Sequence, residues 1–86
     1  GMIFLSFYTT THSMKGEAQA RKQGLAAALV PTPRGVGGSC SLSLCFEGEQ
    51  AEGTARAFFE EMTVPCALYR QEGGALACLG RKGAGA

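Results

Sequence analysis

A single thiol stands at the end of the most elaborate loop in this sequence. Residues 31–40 read Pro-Thr-Pro-Arg-Gly-Val-Gly-Gly-Ser-Cys, and an alternating strand pattern, Ser-Leu-Ser-Leu-Cys-Phe, follows over residues 41–46. The prolines fix φ, and the glycines let the backbone approach other groups closely. Most hairpin loops need only about two to five residues. We therefore expect binding or chemistry at Cys40, and we call residues 31–40 the thiol loop.

The four cysteines of the chain are expected to be free thiols. If residues 40–46 form one strand, Cys40 and Cys45 lie about 16 Å apart, well beyond the ~7 Å that a disulfide allows between Cα atoms. A metal site is not expected, because the chain has no C-x-x-C motif and His12 is its one histidine. The other thiols are assigned to packing or to the C-terminal segment: Cys45, Cys66 and Cys78.

Composition and charge narrow the class of protein. A chain of 86 residues, 45% hydrophobic and 17% charged, fits one small soluble domain. A net charge of +1 without a basic run gives no electrostatic case for nucleic acid. The apolar stretches are shorter than the ~20 residues of a membrane span. The first residues carry no charged region or cleavage site of a signal peptide, so we expect a cytoplasmic protein.

The hydrophobic pattern predicts six elements in the order strand, helix, strand, strand, helix, strand. The expected strands cover residues 3–8, 26–30, 40–46 and 64–70, and the expected helices cover about 13–23 and 51–62. This order is that of a ferredoxin-like α+β sandwich, with an antiparallel sheet in the order 4-1-3-2 and both helices on one face. We expect one domain over residues 2–71.

The C-terminal residues 72–86 are rich in glycine and alanine and are expected to form a flexible tail. A short strand over residues 75–79 is the alternative.

In the second helix the apolar residues recur at helical spacing and predict one buried face: Ala51, Ala55, Phe58, Phe59 and Met62. In the first helix a weaker stripe follows Met14, Ala18, Arg21 and Leu25, and Gly24 is placed to end that helix.

This topology predicts the surroundings of Cys40. The loop between strands 2 and 3 lies at the end of the sheet where the first helix begins, beside residues 10–13, Thr-Thr-His-Ser. Strand parity places Cys40 with Leu42 and Leu44 on the face that meets the helices. The partial positive charge of a helix N-terminus favours the thiolate, which is the nucleophilic form of cysteine.

Three further groups are expected to support an anion at this position. Arg34 in the thiol loop, and His12 at the helix start, would add positive charge, and the backbone of residues 37–39 would form an anion-binding nest. The candidate site thus has Cys40 as its reactive thiol. Its expected binding residues are Thr10, Thr11, His12, Arg34, Gly38 and Ser39.

These residues also carry a resemblance to a known family. The matching positions are Thr10-Thr11-His12-Ser13-Met14, Glu17, Gly24, the segment Leu29 to Arg34 with its Pro-x-Pro-Arg motif, and Gly38-Ser39-Cys40. Over about residues 3–70 the chain resembles the selenium/sulfur carrier-like proteins, which are small bacterial proteins. Ser41 stands where that family usually has glycine. The resemblance implies that Cys40 carries sulfur or selenium as a persulfide or selenosulfide.

On this basis we expect a carrier or transfer protein rather than a turnover enzyme, with no bound cofactor. A donor of the cysteine desulfurase type would load Cys40, and an acceptor enzyme would unload it. The alternative is a non-catalytic regulatory module that binds a small ligand with the thiol loop, in which Cys40 is incidental. In either case the open sheet face is expected to support a homo-oligomer through residues Phe4, Tyr8, Ser43 and Cys45.

Overall fold

The structure is a computed structural model that describes residues 1–37 and 40–83. This part of the chain has two helices and five strands. In chain order they are β1 (Met2–Phe7), α1 (Thr10–Lys22), β2 (Ala27–Pro31), β3 (Leu42–Phe46), α2 (Ala51–Glu61), β4 (Cys66–Glu72) and β5 (Ala75–Lys82).

The strands form one antiparallel sheet in the order β2-β3-β1-β4-β5. The predicted four-stranded sheet in the order 4-1-3-2 is therefore wrong, because a fifth strand lies beyond β4. Within the sheet β1 lies between β3 and β4, with Phe4 opposite both Cys45 and Tyr69. The α+β class and the two helices expected from the sequence are present.

The fifth strand comes from residues expected to be a flexible tail, and that expectation is wrong for residues 75–82. β5 pairs with β4 from Ala75 opposite Glu72 to Lys82 opposite Cys66. The turn between them is Gly73-Gly74, with φ values of 55° and 84°, a pair of positive angles that glycine adopts without strain. The alternative, a short strand over residues 75–79, agrees with the start of β5, although the strand continues to residue 82.

Contacts with α2 hold β5 in place. Lys82 Nζ donates to the carbonyls of Phe59 at 2.6 Å and Met62 at 3.2 Å, which lie at the C-terminal end of that helix. The same ammonium lies 4.5 Å from the centre of the Phe59 ring. A cation at a helix C-terminus also interacts favourably with the helix dipole. A tertiary contact therefore orders a segment whose composition is typical of a tail.

Both helices pack on the same face of the sheet, around the side chains of Leu5 and Phe7. The apolar face predicted for α2 is confirmed, since all five of its residues are buried: Ala51, Ala55, Phe58, Phe59 and Met62. Gly24 follows α1 with a φ of 71°, as expected of a glycine that ends a helix. Neither helix in the described residues is long and apolar enough to cross a membrane.

The stripe predicted for α1 is wrong. Met14 is 57% exposed, and the helix instead buries Ser13, Gly16 and Ala20. Small residues on this face let the helix lie close to β1, and a Cβ on Gly16 would come 2.6 Å from the ring of Phe7. The first helix thus approaches the sheet through small residues rather than large apolar ones.

The opposite face of the sheet is not open. Val36 of the thiol loop is buried against Ala67 and Tyr69, so the loop folds back over this face. Phe4 and Cys45 are each 4% exposed, and Ser43 is fully buried. The exposed sheet face expected from the sequence is therefore absent at these positions.

Substitutions at two helix glycines, Gly53 and Gly16, test how the helices pack on the sheet. Gly53 lies on the exposed side of α2 with open space around it, so Gly53→Ala should stabilise the protein by about 0.5–1 kcal/mol. Gly16→Ala should destabilise it by roughly 1–3 kcal/mol, because the added methyl overlaps the Phe7 ring. Urea unfolding measures both, and a neutral or stabilising Gly16→Ala would contradict the close contact of α1 with β1.

Candidate functional site

Cys40 lies at the end of the sheet where α1 begins, on the helix side of the sheet. Its amide donates to the carbonyl of Phe7, the last residue of β1, at 3.2 Å. Its sulfur lies 3.5 Å from Ser13 Oγ, in the first turns of α1. The residue is 7% exposed and belongs to the apolar core. The structure thus brings the thiol loop and the start of α1 together, as the topology argument expects.

Two of the first amides of α1, those of His12 and Ser13, do not donate to this sulfur. Thr9 caps α1, and its side chain accepts a hydrogen bond from the amide of His12 at 3.1 Å. Its carbonyl accepts one from the amide of Ser13, also at 3.1 Å. The expectation that helix amides polarise the Cys40 thiol is therefore wrong for these two groups. Instead, α1 stabilises the thiolate of Cys40 through the side-chain hydroxyls of Ser13 and Thr10.

The balance of burial and hydrogen bonding favours the thiolate of Cys40. Burial by itself raises the pKa of this thiol, since a charge is less stable away from water. Hydrogen bonds to the sulfur lower the pKa and outweigh burial. In decreasing order they come from the Ser13 side chain, the Leu42 amide, the Thr10 side chain and the Ser41 amide. The pKa of Cys40 is therefore lower than that of an ordinary cysteine, and no charged side chain contributes.

Ser13 responds to the protonation state of the sulfur. Its hydroxyl donates to the carbonyl of Thr10 at 2.9 Å, and it accepts the thiol proton of Cys40. A hydroxyl has only one proton to donate. When Cys40 loses its proton, the Ser13 hydroxyl must therefore turn from the Thr10 carbonyl to the sulfur. Ser13 is fully buried, so water does not compete for this position.

The other predicted site residues differ in their relation to Cys40. Thr10 reaches the sulfur through its side chain, whereas Thr11 is exposed and makes no hydrogen bond to Cys40. His12 is half-buried, and its Nδ1 has no hydrogen-bond partner within residues 1–37 and 40–83. Arg34 is exposed and forms no ion pair with any residue that the structure describes. Gly38 and Ser39 lie outside the described residues.

Three donors were not among the predicted site residues: the hydroxyl of Ser13 and the amides of Ser41 and Leu42. A signal for Ser13 was present, because residues 10 and 13 are one helical turn apart and share a face. The two amides leave no signal in the sequence, since every residue except proline has one. Their role depends on how the backbone turns into β3.

The other three thiols have different surroundings. Cys45 contacts Met2, with 3.7 Å between the two sulfurs, and burial together with the charge of Glu47 raises its pKa. Cys66 is fully buried in the core, and burial raises its pKa to about 11. Cys78 is exposed on β5. All four cysteines are free, and the described residues hold no cluster of three or more His, Cys, Asp or Glu side chains suited to a metal ion.

Replacing Ser13 tests the hydrogen bonding at Cys40. Ser13→Ala removes the strongest donor to the thiolate, so the pKa of Cys40 should rise. The pH dependence of alkylation by iodoacetamide, followed by peptide mass spectrometry, should then inflect at a higher pH. Thr11→Ala is the matched control and should leave the inflection unchanged. Coincident profiles for Ser13→Ala and the unmodified protein would contradict the role of Ser13.

Comparison with known proteins identifies a family. No curated protein and no solved structure matches the chain significantly. The family described as Putative Se/S carrier protein-like matches residues 2–70, which include Cys40, the start of α1, β1 to β3 and most of β4. The chain belongs to this family of selenium/sulfur carrier-like proteins.

Proposed function

We propose that the protein carries sulfur or selenium on Cys40, as a persulfide or selenosulfide, between a donor and an acceptor protein. The observation that supports this proposal is the set of four hydrogen-bond donors around a single thiol, which lowers its pKa without a charged neighbour. Membership of the carrier-like family agrees with it. The compartment we propose is the reducing cytoplasm, where free thiols persist.

Loading is an exchange that needs no external oxidant. The Cys40 thiolate attacks the outer sulfur of a persulfide, R–S–SH, held by a donor of the cysteine desulfurase type. A bond forms between the Cys40 sulfur and the outer sulfur, the bond between the two donor sulfurs breaks, and the donor leaves as the thiolate R–S⁻. The product is Cys40–S–SH, so atoms and charge balance. With selenium as the outer atom, the same step gives Cys40–S–SeH.

Unloading reverses the roles of the sulfurs. A nucleophile of the acceptor attacks the outer atom, and Cys40 leaves as a thiolate. A thiol of lower pKa is the better leaving group in such exchanges. The donors that favour ionisation of Cys40, led by the Ser13 hydroxyl, therefore assist release as well as loading. A carrier needs both steps.

A second candidate function rests on the burial of the thiol. Cys40 is 7% exposed and packs in the core, as expected of a cysteine that only fills space. In that case the protein is a binding or regulatory module whose ligand contacts the thiol loop, and Cys40 has no chemical role. Self-association through the sheet has less support, because Val36 covers part of the face on which it was expected.

Transfer from a small persulfide distinguishes the two functions. We expect incubation with glutathione persulfide to add one sulfur atom to Cys40, read by intact and peptide mass spectrometry. Cys40→Ser should abolish the addition at that peptide. Cys78→Ser is the matched control, because it removes the exposed thiol and should leave loading of Cys40 unchanged. Sulfur found on Cys78 and not on Cys40 would contradict the carrier function and favour the binding module.

A further inference from the structure

Thr32, just after β2, binds two successive carbonyls beside the thiol. Its amide donates to the carbonyl of Ser41 at 2.8 Å, and its hydroxyl donates to the carbonyl of Cys40 at 3.0 Å. In an extended strand successive carbonyls point to opposite sides. Here both point toward Thr32, so the chain bends at Ser41 before β3 begins at Leu42.

The direction of these carbonyls determines where the amides of the same peptides point. In a trans peptide the C=O and the N–H point to opposite sides of the chain. The peptide bonds that follow Cys40 and Ser41 have their carbonyls on Thr32, so the amides of Ser41 and Leu42 point away from it. Hydrogen bonds from both amides are among the causes that lower the pKa of the Cys40 thiol. Thr32 and the sulfur thus lie on opposite sides of the same two peptides.

A count of protons shows that Thr32 is itself held in place. The single hydroxyl proton of Thr32 is donated to the carbonyl of Cys40, so the contact of 2.8 Å with Ser43 must have Ser43 as the donor. Ser43 is fully buried on β3. The hydrogen bonds therefore run in one direction, from Ser43 to Thr32 to the Cys40 carbonyl. Bonds arranged in such a chain strengthen one another.

We propose that Thr32 is a positioning residue for Cys40: by holding the carbonyls of Cys40 and Ser41, it directs the amides of Ser41 and Leu42 at the sulfur. Its hydroxyl also polarises the peptide that follows Cys40, which makes the amide of Ser41 a stronger donor. This role deepens the proposed carrier function, which depends on the thiolate. Charged side chains do not take over this role, because neither His12 of α1 nor Arg34 of the thiol loop is among the groups that lower the pKa of Cys40.

The test compares two substitutions of the same residue. Thr32→Val keeps the shape and the backbone amide but loses the hydroxyl, whereas Thr32→Ser keeps the hydroxyl. The titration of Cys40 is followed by the 13Cβ chemical shift of labelled cysteine, which does not require access of a reagent. We expect the midpoint in Thr32→Val to rise by about half a unit, which lowers the thiolate fraction about threefold below the midpoint. Thr32→Ser should titrate as the unmodified protein does.

The amide of Ser41 gives a second readout. Its proton resonance should move downfield as Cys40 ionises, and this movement should be smaller in Thr32→Val. A folded Thr32→Val with an unchanged midpoint, or a Thr32→Ser shifted as far as Thr32→Val, would overturn the proposal. If Thr32→Val does not fold, Ser43→Ala replaces it. That variant should give a smaller rise in the midpoint, and no rise would overturn the proposal.

The titrations distinguish a failure of the role proposed for Thr32 from a failure of the carrier function proposed for Cys40. If the unmodified protein accepts sulfur on Cys40 and Thr32→Val titrates normally, the role of Thr32 alone is lost. If Cys40 of the unmodified protein titrates as an ordinary cysteine, the proposed function loses its physical basis, whatever the substitutions at Thr32 do.

Discussion

A buried sulfur can carry a negative charge only if hydrogen-bond donors replace the water it has lost. This constraint governs the surroundings of Cys40. Hydroxyls of α1, of which Ser13 has the largest effect, form one group of donors to the sulfur. The backbone amides of Ser41 and Leu42, the two residues that follow Cys40, form the other. All of these donors are neutral. Their effect is therefore less sensitive to salt than the effect of a neighbouring arginine or lysine would be.

The rest of the fold brings those two groups of donors together. α1 can lie close to β1 because its buried face is small at Gly16 and Ser13. The last carbonyl of β1, on Phe7, holds the Cys40 amide and so fixes the thiol at the end of the sheet. On the far side of the sheet, Val36 packs against β4 and anchors the thiol loop. The site is thus built where one helix, three strands and a long loop meet.

Local pattern and topology together predict much of this arrangement. The element order and the buried face of α2 follow from hydrophobic spacing, and the place of Cys40 beside α1 follows from the chain path. β5 could not be predicted in the same way, because Gly80 and Lys82 order it through contacts with Phe59 of α2. Three of the four donors to the sulfur were also missed, and two of these are amides whose direction depends on a backbone bend that no side-chain pattern encodes. Helix dipole reasoning led to the right end of α1 but to the wrong donor groups.

The most direct measurement of the central claim is a titration of all four thiols in the unmodified protein by 13Cβ chemical shift. We predict that Cys40 ionises at a lower pH than an ordinary cysteine. Cys45 should ionise above the ordinary range, and Cys66 should stay protonated until about pH 11. A Cys40 that titrates together with Cys45, or at the ordinary value, would contradict the claim.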